Sequence, residues 1–340
     1  MKYKQLGATG IFVTDLALGT MTFGETNGRG ATEEDSIRMI HHYLDAGGNH
    51  IDTANAYAGG ISEQITGKAL QGKRQDVILA TKVNFPTKKG VNNYGLSRKT
   101  IISEVEGCLE RLQTDYIDLL YMHCWDRITP IEESLRTFQD LVTQGKVRYI
   151  GVSNFKAWQL MKALGVSEQH QWVKFVAAQY QYSLLTREIE YEYTDLCASE
   201  GLGLVPWGPL GGGFLSGKYR PEQRPEDFSD GRIGGMPEHS EESWENRNNQ
   251  RNWDILEVVG QIADARNTSY APVALAWLRA KRGVASTLMG VRTMAQLEDN
   301  LKAGEIDLNE VEMQRLDEVS LPTPIYPYGF IENYGRKWPD

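Results

Sequence analysis

Short hydrophobic runs alternate with amphipathic helical patterns along most of this chain. Eight runs have the length and residue types of buried β-strands. They span residues 15–19, 48–52, 77–82, 116–123, 147–153, 173–179, 202–207 and 285–289. Apolar residues at helical spacing predict helices between them, over residues 33–46, 98–113, 131–144, 157–164 and 187–200. Ahead of these elements, residues 2–14 predict a β-hairpin around the turn Gly7-Ala8-Thr9-Gly10.

Strands that alternate with helices predict an α/β fold with parallel strands and right-handed crossovers. Eight such strands in a chain of 340 residues favour a closed (β/α)8 barrel of the TIM type, with the hairpin at its N-terminus. We expect one domain over residues 1–340. A doubly wound sheet is the alternative, but no Gly-x-Gly-x-x-Gly motif follows the first strand between Leu18 and Gly24.

Two segments depart from this alternation. Residues 208–250, after the seventh barrel strand, are rich in Gly and polar residues, which predicts a long functional or disordered loop. Residues 321–340 are rich in Pro, Tyr and Trp. This composition argues against a helix, yet the segment is too aromatic for a tail that extends into solvent.

Polar residues follow nearly every predicted strand. They are Asp52, Lys82, His123, Ser153, Asn154 and Gln179. Buried polar groups cost free energy unless they are paired, so stability alone does not explain this pattern. Because the carboxyl ends of all barrel strands open on one face, these side chains are expected to form one polar site.

The types of these residues suit proton transfer to a carbonyl oxygen. Tyr57 lies five residues after Asp52, and an adjacent Lys82 ammonium would favour the tyrosinate form of its hydroxyl. Asp52 could keep a buried Lys82 charged, and a neutral His123 could orient a carbonyl by hydrogen bonding. Each residue alone is more often structural, but their occurrence at successive strand ends favours catalysis.

Charge and cysteine content exclude several other classes. The formal net charge is -9 with acidic and basic residues interspersed, which argues against nucleic acid as a partner. Cys108, Cys124 and Cys197 show no close pairing, which favours a reducing compartment. We find neither an apolar signal region nor a membrane-spanning run, and no histidine has metal-ligand spacing. We therefore expect a cytoplasmic protein without a metal or a membrane partner.

Five motifs occur in a characteristic order. They are Gly-Gly-Asn-His-Ile-Asp-Thr-Ala-Asn-Ala-Tyr at 47–57, Ala-Thr-Lys at 80–82, Gly-Val-Ser-Asn-Phe at 151–155, Ala-Gln-Tyr at 178–180, and Leu-Met-Gly-Val-Arg-Thr at 288–293. With these motifs the chain resembles the aldo-keto reductase family over essentially its full length. The resemblance is to the bacterial and potassium-channel-β-like branch, and it implies a hairpin-plugged barrel that binds NADPH and reduces carbonyl compounds.

The resemblance also implies a role for each matching residue. Tyr57 would be the general acid, supported by Asp52, Lys82 and His123, and Trp207 would stack on the nicotinamide where the family usually has Tyr. Arg292 would meet the 2′-phosphate, because Gly290 stands where the mammalian aldose-reductase branch of the family usually has Lys. The implied NADPH-binding residues are Gly19, Thr20, Met21, Asp52, Ser153, Asn154, Gln179, Trp207, Pro209, Leu210, Gly212, Leu215, Lys218, Gly290, Arg292, Gln296 and Asn300.

The expected partner is a small carbonyl compound, while the oligomeric state is left open. Phe23, Phe85 and Trp125 would line its pocket beside Tyr57 and His123, with a contribution from Phe214 or the aromatic tail. A second interpretation remains, because channel β-subunits of this family act chiefly as NADP-sensing partners. The start of the barrel motifs within the first twenty residues favours the enzyme. A cofactor-free isomerase would have no use for the Ser-Asn and Gln motifs.

Overall fold

A computed structural model describes residues 1–24, 28 and 30–335 of the chain. The chain begins with an antiparallel hairpin of β1 (Tyr3–Gln5) and β2 (Phe12–Thr14). The Leu6 N–H donates to the Ile11 carbonyl across the turn, at 2.9 Å. Leu6 and Val13 are fully buried in a cluster with Ala17 and other inward-facing strand residues, so the hairpin closes one end of the barrel.

Eight parallel strands follow. They are β3 (Leu16–Gly19), β4 (His50–Asp52), β5 (Ile78–Val83), β6 (Ile117–Met122), β7 (Val147–Ser153), β8 (Phe175–Gln179), β9 (Gly203–Leu204) and β10 (Thr287–Gly290). Their order is β10-β3-β4-β5-β6-β7-β8-β9. A bridge between Leu204 and Val284 joins the two ends. The predicted (β/α)8 fold and all eight predicted strands are therefore confirmed.

The seventh barrel strand is shorter than predicted. Residues 202–207 predict six strand residues, but β9 contains two. Pro206 has no N–H to donate, so it contributes only its carbonyl to pairing. The Val205 and Trp207 N–H groups still donate to the Ala178 and Tyr180 carbonyls, each at 2.9 Å, and these bonds fix the backbone of Trp207 at the mouth of the barrel.

Helices cover the outside of the barrel and extend to the tail. They are α1 (Glu33–Asp45), α2 (Ile61–Ala69), α3 (Arg98–Leu112), α4 (Ile131–Thr143), α5 (Ala157–His170), α6 (Tyr193–Glu200), α7 (Trp244–Arg247), α8 (Gln250–Ala265), α9 (Tyr270–Ala280), α10 (Met294–Leu301), α11 (Glu310–Val319) and α12 (Tyr328–Tyr334). Side-chain caps define several starts, as where the Thr32 hydroxyl accepts from the Asp35 N–H. Within the described residues we find no helix long and apolar enough to cross a bilayer.

Two predicted helices differ from the structure by more than one residue. The prediction ends at residue 164, but α5 continues to His170 because Ser167 in its last turn is buried and Val166 packs on the core. The helix predicted over 187–200 is divided into a 3₁₀ turn at Glu188–Tyr191 and α6.

The tail contains a helix, so the expectation of a non-helical segment over residues 321–340 is wrong. Pro327 immediately precedes α12, where its fixed φ is compatible with a helix start. Tyr328 stacks on Tyr191 with ring centroids 4.7 Å apart, and Phe330 packs on Tyr334 one turn further along. Residues 336–340 of the predicted segment lie outside the described residues.

The long segment at 208–250 is folded against the barrel. It contains two 3₁₀ turns, Phe214–Ser216 and Arg232–Gly235, followed by α7. Phe214 and Ile233 are buried in the main core cluster, and the Phe214 ring lies 4.6 Å from the Trp253 ring. This apolar burial anchors the segment over the carboxyl ends of the strands.

Candidate active site

The carboxyl ends of the strands bring the predicted polar residues to one face. Strand pairing places Asp52 beside Ala80, Lys82 beside Tyr121, and Ser153 beside Gln179. The side chains of Asp52, Lys82, Ser153 and Gln179 point inward because they alternate with residues that face the helices. Asp52, Ser153 and Gln179 line a cavity of about 530 Å³, whereas Lys82 is fully buried outside that lining.

Lys82 is fully buried, and its ammonium has three acceptors. It forms an ion pair with the Asp52 carboxylate and donates to the Thr53 carbonyl at 2.7 Å and to the Tyr57 hydroxyl at 3.2 Å. Burial opposes the charge on Lys82, but Asp52 and Tyr57 outweigh it and raise the pKa of this ammonium. Lys82 is therefore charged at neutral pH and connects the carboxylate to the phenol.

The loop from Asp52 to Tyr57 is fixed by hydrogen bonds of Asn55 to the loop after β5 and to α3. The Asn55 amide donates to the Phe85 carbonyl and to a Glu104 carboxylate oxygen, both at 2.8 Å. Tyr57 is followed by a tight turn in which Gly60 has φ +98°, and a Cβ there would lie 2.8 Å from the Arg111 side chain. This turn requires glycine and fixes the half-buried Tyr57 at the cavity wall.

His123 faces the same cavity. Its ring lies edge-on to Tyr57, with centroids 6.0 Å apart, and edge-on to Phe85 at 4.8 Å. Burial, and then the positive charge of Lys82, lower the pKa of His123 well below its ordinary value. The imidazole is therefore neutral at neutral pH, with one N–H available to donate a hydrogen bond.

The strand ends of β7 and β8 carry a set of amide and hydroxyl groups. The Ser153 hydroxyl donates to the Gln179 carbonyl at 2.8 Å, and the Asn154 amide donates to Ser153 and to the His123 carbonyl, each at 2.9 Å. The Gln179 amide donates to the second oxygen of Asp52 at 2.8 Å. Asp52 thus receives hydrogen bonds on both oxygens, while Ser153, Asn154 and Gln179 all line the cavity.

The other end of the cavity is basic. Arg292 donates to the Phe228 carbonyl at 3.0 Å, and Lys218 donates to the Asp230 carbonyl at 3.0 Å. Among the described residues, no carboxylate forms an ion pair with either cation. These two side chains are suited to an anionic ligand group. Gln296 accepts from the Arg292 backbone N–H at 2.8 Å, which fixes the start of this segment.

The cavity brings together most of the predicted site residues. Those in its lining are Gly19, Met21, Asp52, Tyr57, Phe85, His123, Ser153, Asn154, Gln179, Trp207, Pro209, Leu210, Gly212, Lys218, Gly290, Arg292, Gln296 and Asn300. Trp207 is half-buried, so it presents part of its indole surface to the cavity. No group of three His, Cys, Asp or Glu residues within 1–24, 28 and 30–335 could hold a metal ion.

Other predicted residues do not line the cavity. Phe23 is completely buried in the main core, so its side chain cannot contact a substrate, and Leu215 is enclosed in the same cluster. Thr20 is also buried, and its hydroxyl hydrogen-bonds the Ser62 hydroxyl at 2.8 Å. Trp125 packs edge-on against Phe155, with centroids 5.0 Å apart, outside the lining.

Arg232 and Glu242 line the cavity but are not predicted from the sequence. The Arg232 guanidinium donates to the Glu242 carboxylate at 2.5 Å, and Glu242 is nearly completely buried. Both belong to the segment 208–250, whose polar residues follow no helical or strand period. A single charged residue in such a segment carries no pattern that would place it in the cavity. Its position follows from the packing of Ile233 on the core.

Comparison with known proteins is consistent with this geometry. A sequence model described as "Aldo/keto reductase family" matches residues 15–321. The chain is 37% identical over 330 residues to "Uncharacterized oxidoreductase YrpG" of Bacillus subtilis (strain 168), covering 94% of this chain and 96% of that protein. It is 32% identical over 349 residues to "Versiconal hemiacetal acetate reductase" of Aspergillus parasiticus, covering 96% and 99%.

A relative with a different name matches over the same length. The chain is 32% identical over 344 residues to "Probable voltage-gated potassium channel subunit beta" of Arabidopsis thaliana, covering 97% of this chain and 100% of that protein. The family match spans nearly the whole barrel, and all three relatives exceed 30% identity over nearly complete lengths. This chain therefore belongs to the aldo/keto reductase family of oxidoreductases.

Proposed function

We propose that this protein uses NADPH to reduce an aldehyde or ketone to an alcohol, with Tyr57 as the general acid. The observation that carries the proposal is the position of the Lys82 ammonium between Asp52 and the Tyr57 hydroxyl. Tyr57 and His123 both line a cavity with aromatic, amide and basic groups along it. A small carbonyl compound is the proposed partner, and the three free cysteines are compatible with a reducing compartment such as the cytoplasm.

The residues along the cavity fit a dinucleotide. Trp207 offers a ring face at the barrel mouth, and Ser153, Asn154 and Gln179 offer hydrogen-bonding groups beside it. Lys218 and Arg292 offer two cations without carboxylate partners among the described residues at the far end. When bound, NADPH would supply the hydride that adds to the carbonyl carbon.

The side chains of Asp52, Tyr57, Lys82 and His123 would supply orientation and the proton. Neutral His123 would donate a hydrogen bond to the carbonyl oxygen and so hold it near Tyr57. The Tyr57 hydroxyl would transfer its proton to that oxygen as the carbon–oxygen double bond becomes a single bond. Lys82 would stabilise the resulting phenolate, and Asp52 would keep Lys82 charged in its buried position. The phenolate would then recover a proton from water.

A regulatory subunit is the second candidate function. It is favoured by the match to a relative named as a probable channel β-subunit, because the match covers that whole protein. A panel of aldehydes and ketones assayed by NADPH oxidation separates the two candidates. Steady turnover of any member supports the reductase, whereas NADPH binding without turnover of the whole panel favours the regulatory subunit.

Trp207→Ala is expected to weaken NADPH binding. The substitution removes the aromatic face at the barrel mouth, which is worth about 1–3 kcal/mol by analogy with base stacking on aromatic side chains. Quenching of tryptophan fluorescence by NADPH should also decrease. Trp158→Ala is the control, because Trp158 is 60% exposed and lies outside the cavity lining. Undiminished quenching in the Trp207 variant would assign the quenched signal to another of the eight tryptophans.

Arg292→Ala is expected to raise the KM for NADPH far more than the KM for NADH. The two cofactors differ only by the 2′-phosphate, which a guanidinium can meet with two hydrogen bonds. One charge-assisted hydrogen bond is worth about 1.5–3 kcal/mol, or roughly ten- to a hundredfold. Arg38→Ala, which removes an exposed arginine paired with Asp35, is the control. Equal small changes for both cofactors would mean that Arg292 does not contact this phosphate.

A further inference from the structure

A buried carboxylate lies behind the loop that carries Tyr57. Glu104 belongs to α3 and is 4% exposed. Its hydrogen-bond partners are neutral groups. The Asn55 amide donates to one carboxylate oxygen at 2.8 Å, and the Thr87 hydroxyl donates to the carboxylate at 3.1 and 3.2 Å from its two oxygens. Glu104 has no part in the proposed proton or hydride transfer.

Glu104 differs from the other buried carboxylates near the site. Asp52 forms an ion pair with Lys82, and Glu63 forms one with Arg111, whereas no Lys, Arg or His in the described part of the chain lies at ion-pair distance from Glu104. A buried carboxylate costs free energy unless its charge is compensated, and here hydrogen bonds from two loops provide the compensation. The same bonds therefore attach those loops to α3.

Both loops carry residues of the active-site cavity. Asn55 lies two residues before Tyr57, and Thr87 lies two residues after Phe85. The Asn55 amide also donates to the Phe85 carbonyl at 2.8 Å, so Asn55 and Glu104 together join the two loops. Each N–H of the Asn55 amide thus has one acceptor, which fixes the orientation of this fully buried side chain.

Helix α3 contacts the chain on both sides of Tyr57. Glu104 and Arg111 are seven residues apart, or two turns, which places them on one face of the helix. Glu104 holds the chain before Tyr57 through Asn55. After Tyr57, the Arg111 side chain packs against Gly60, 2.8 Å from where a Cβ would lie. The position of the Tyr57 hydroxyl in the cavity therefore depends on contacts with α3.

We propose that Glu104 is a positioning residue that holds Tyr57 and Phe85 in the reactive arrangement through Asn55 and Thr87. This inference rests on the proposed reductase function, because it assigns Glu104 a role in placing the proton donor of that reaction. The role requires the hydrogen bonds of Glu104 and not its negative charge. A glutamine at this position can accept from Asn55 through its oxygen and donate to the Thr87 hydroxyl through its amide.

The first experiment measures steady-state kinetics with NADPH and the best aldehyde of the panel. We expect the kcat of Glu104→Leu to fall roughly ten- to a hundredfold, because a displacement of about 1 Å at the reacting atoms can cost 10² in rate. Glu104→Gln should stay close to wild type, and the affinity for NADPH should be unchanged in both variants. Glu106→Leu is the matched control, because Glu106 lies on the same helix, is 59% exposed and pairs with Lys146 at 3.4 Å.

A second pair of variants tests the path through Asn55. Asn55→Ala removes the same hydrogen bond from the other side, and it also loses the bond to Phe85, so its kcat should fall at least as far. Adding Glu104→Leu to Asn55→Ala should cause little further loss, because residues that act through one contact are coupled. Asn55→Ala also decides the question if Glu104→Leu does not fold. Losses that multiply in the double variant, or an unchanged kcat in Asn55→Ala, overturn this path.

Hydrogen–deuterium exchange tests the positioning without turnover. The Asn55 N–H donates to the Lys82 carbonyl at 3.1 Å, so its exchange rate reports how firmly the loop is held. Peptides that cover residues 53–60 and 84–90 should exchange faster in Glu104→Leu than in the wild type, while other regions exchange as in the wild type. The same peptides should exchange at the wild-type rate in Glu104→Gln. Unchanged exchange in Glu104→Leu overturns the positioning role.

The outcomes separate this inference from the proposed function. An equal loss of kcat in Glu104→Gln and Glu104→Leu overturns the inference, because it assigns the effect to the charge of Glu104. A loss of NADPH affinity together with kcat in Glu104→Leu, or a similar loss of kcat in Glu106→Leu, overturns it by showing a general structural effect. Absence of turnover for every aldehyde contradicts the reductase function, and with it a role in that reaction, while the exchange comparison still decides whether Glu104 holds the two loops.

Discussion

Tyr57→Phe should lower the rate of carbonyl reduction by about 10²–10⁴-fold, the usual contribution of a general acid. The phenyl ring keeps its edge-on contact with His123, so the cavity wall is preserved while the proton donor is removed. Lys82 retains Asp52 and the Thr53 carbonyl as hydrogen-bond acceptors. The affinity for NADPH should therefore stay close to that of the wild type. Single-turnover rates and an NADPH titration measure the two quantities separately.

Tyr94→Phe is the matched control for this variant. Tyr94 stacks on Phe85, which lines the cavity, but Tyr94 itself is 58% exposed and outside the lining. Loss of its hydroxyl should leave both rate and affinity unchanged. Activity of Tyr57→Phe within a few-fold of wild type would falsify the role of Tyr57 as the acid. A large loss of NADPH affinity would instead indicate a structural role for the hydroxyl.

The strands and the clustering of Asp52, Lys82 and His123 could be predicted from sequence because two regular effects coincide. Buried parallel strands are nearly continuous apolar runs, as in residues 117–122, so they stand out from amphipathic helices. A barrel brings the carboxyl end of every strand to one face, which places Asp52, Lys82 and His123 together without further information. The prediction of these residues needed only the order of the elements.

Residues that depend on irregular packing could not be predicted in the same way. Phe23 follows the first barrel strand as a substrate-contacting aromatic would, but tertiary packing buries it in the core. Arg232 and Glu242 belong to a segment without periodicity, and the burial of Phe214 and Ile233 decides their positions. Composition also misled the prediction for the tail, since the aromatic contact between Tyr191 and Tyr328 supports a helix there.

Lys82→Met should nearly abolish reduction and also destabilise the protein. The ammonium stabilises negative charge on the Tyr57 oxygen, so its removal slows proton transfer. The substitution also leaves the Asp52 carboxylate, 2% exposed, without its cation. Removing one partner of a buried ion pair costs about 3–5 kcal/mol. Denaturant unfolding and single-turnover rates of the folded variant measure these two effects.

The double variant Asp52→Asn with Lys82→Met separates stability from catalysis. Neutralising Asp52 removes the unpaired buried charge, and the Gln179 amide can still donate to the oxygen of the introduced side chain. The free energy of unfolding should recover toward wild type, because two neutral groups replace the buried charges. Activity should not recover, because the Tyr57 hydroxyl still lacks the adjacent ammonium. Lys68→Met, which removes an exposed ammonium paired with Glu33, should change neither quantity. A double variant that regains both stability and turnover would show that Lys82 acts only by stabilising the fold and that Tyr57 donates its proton without it.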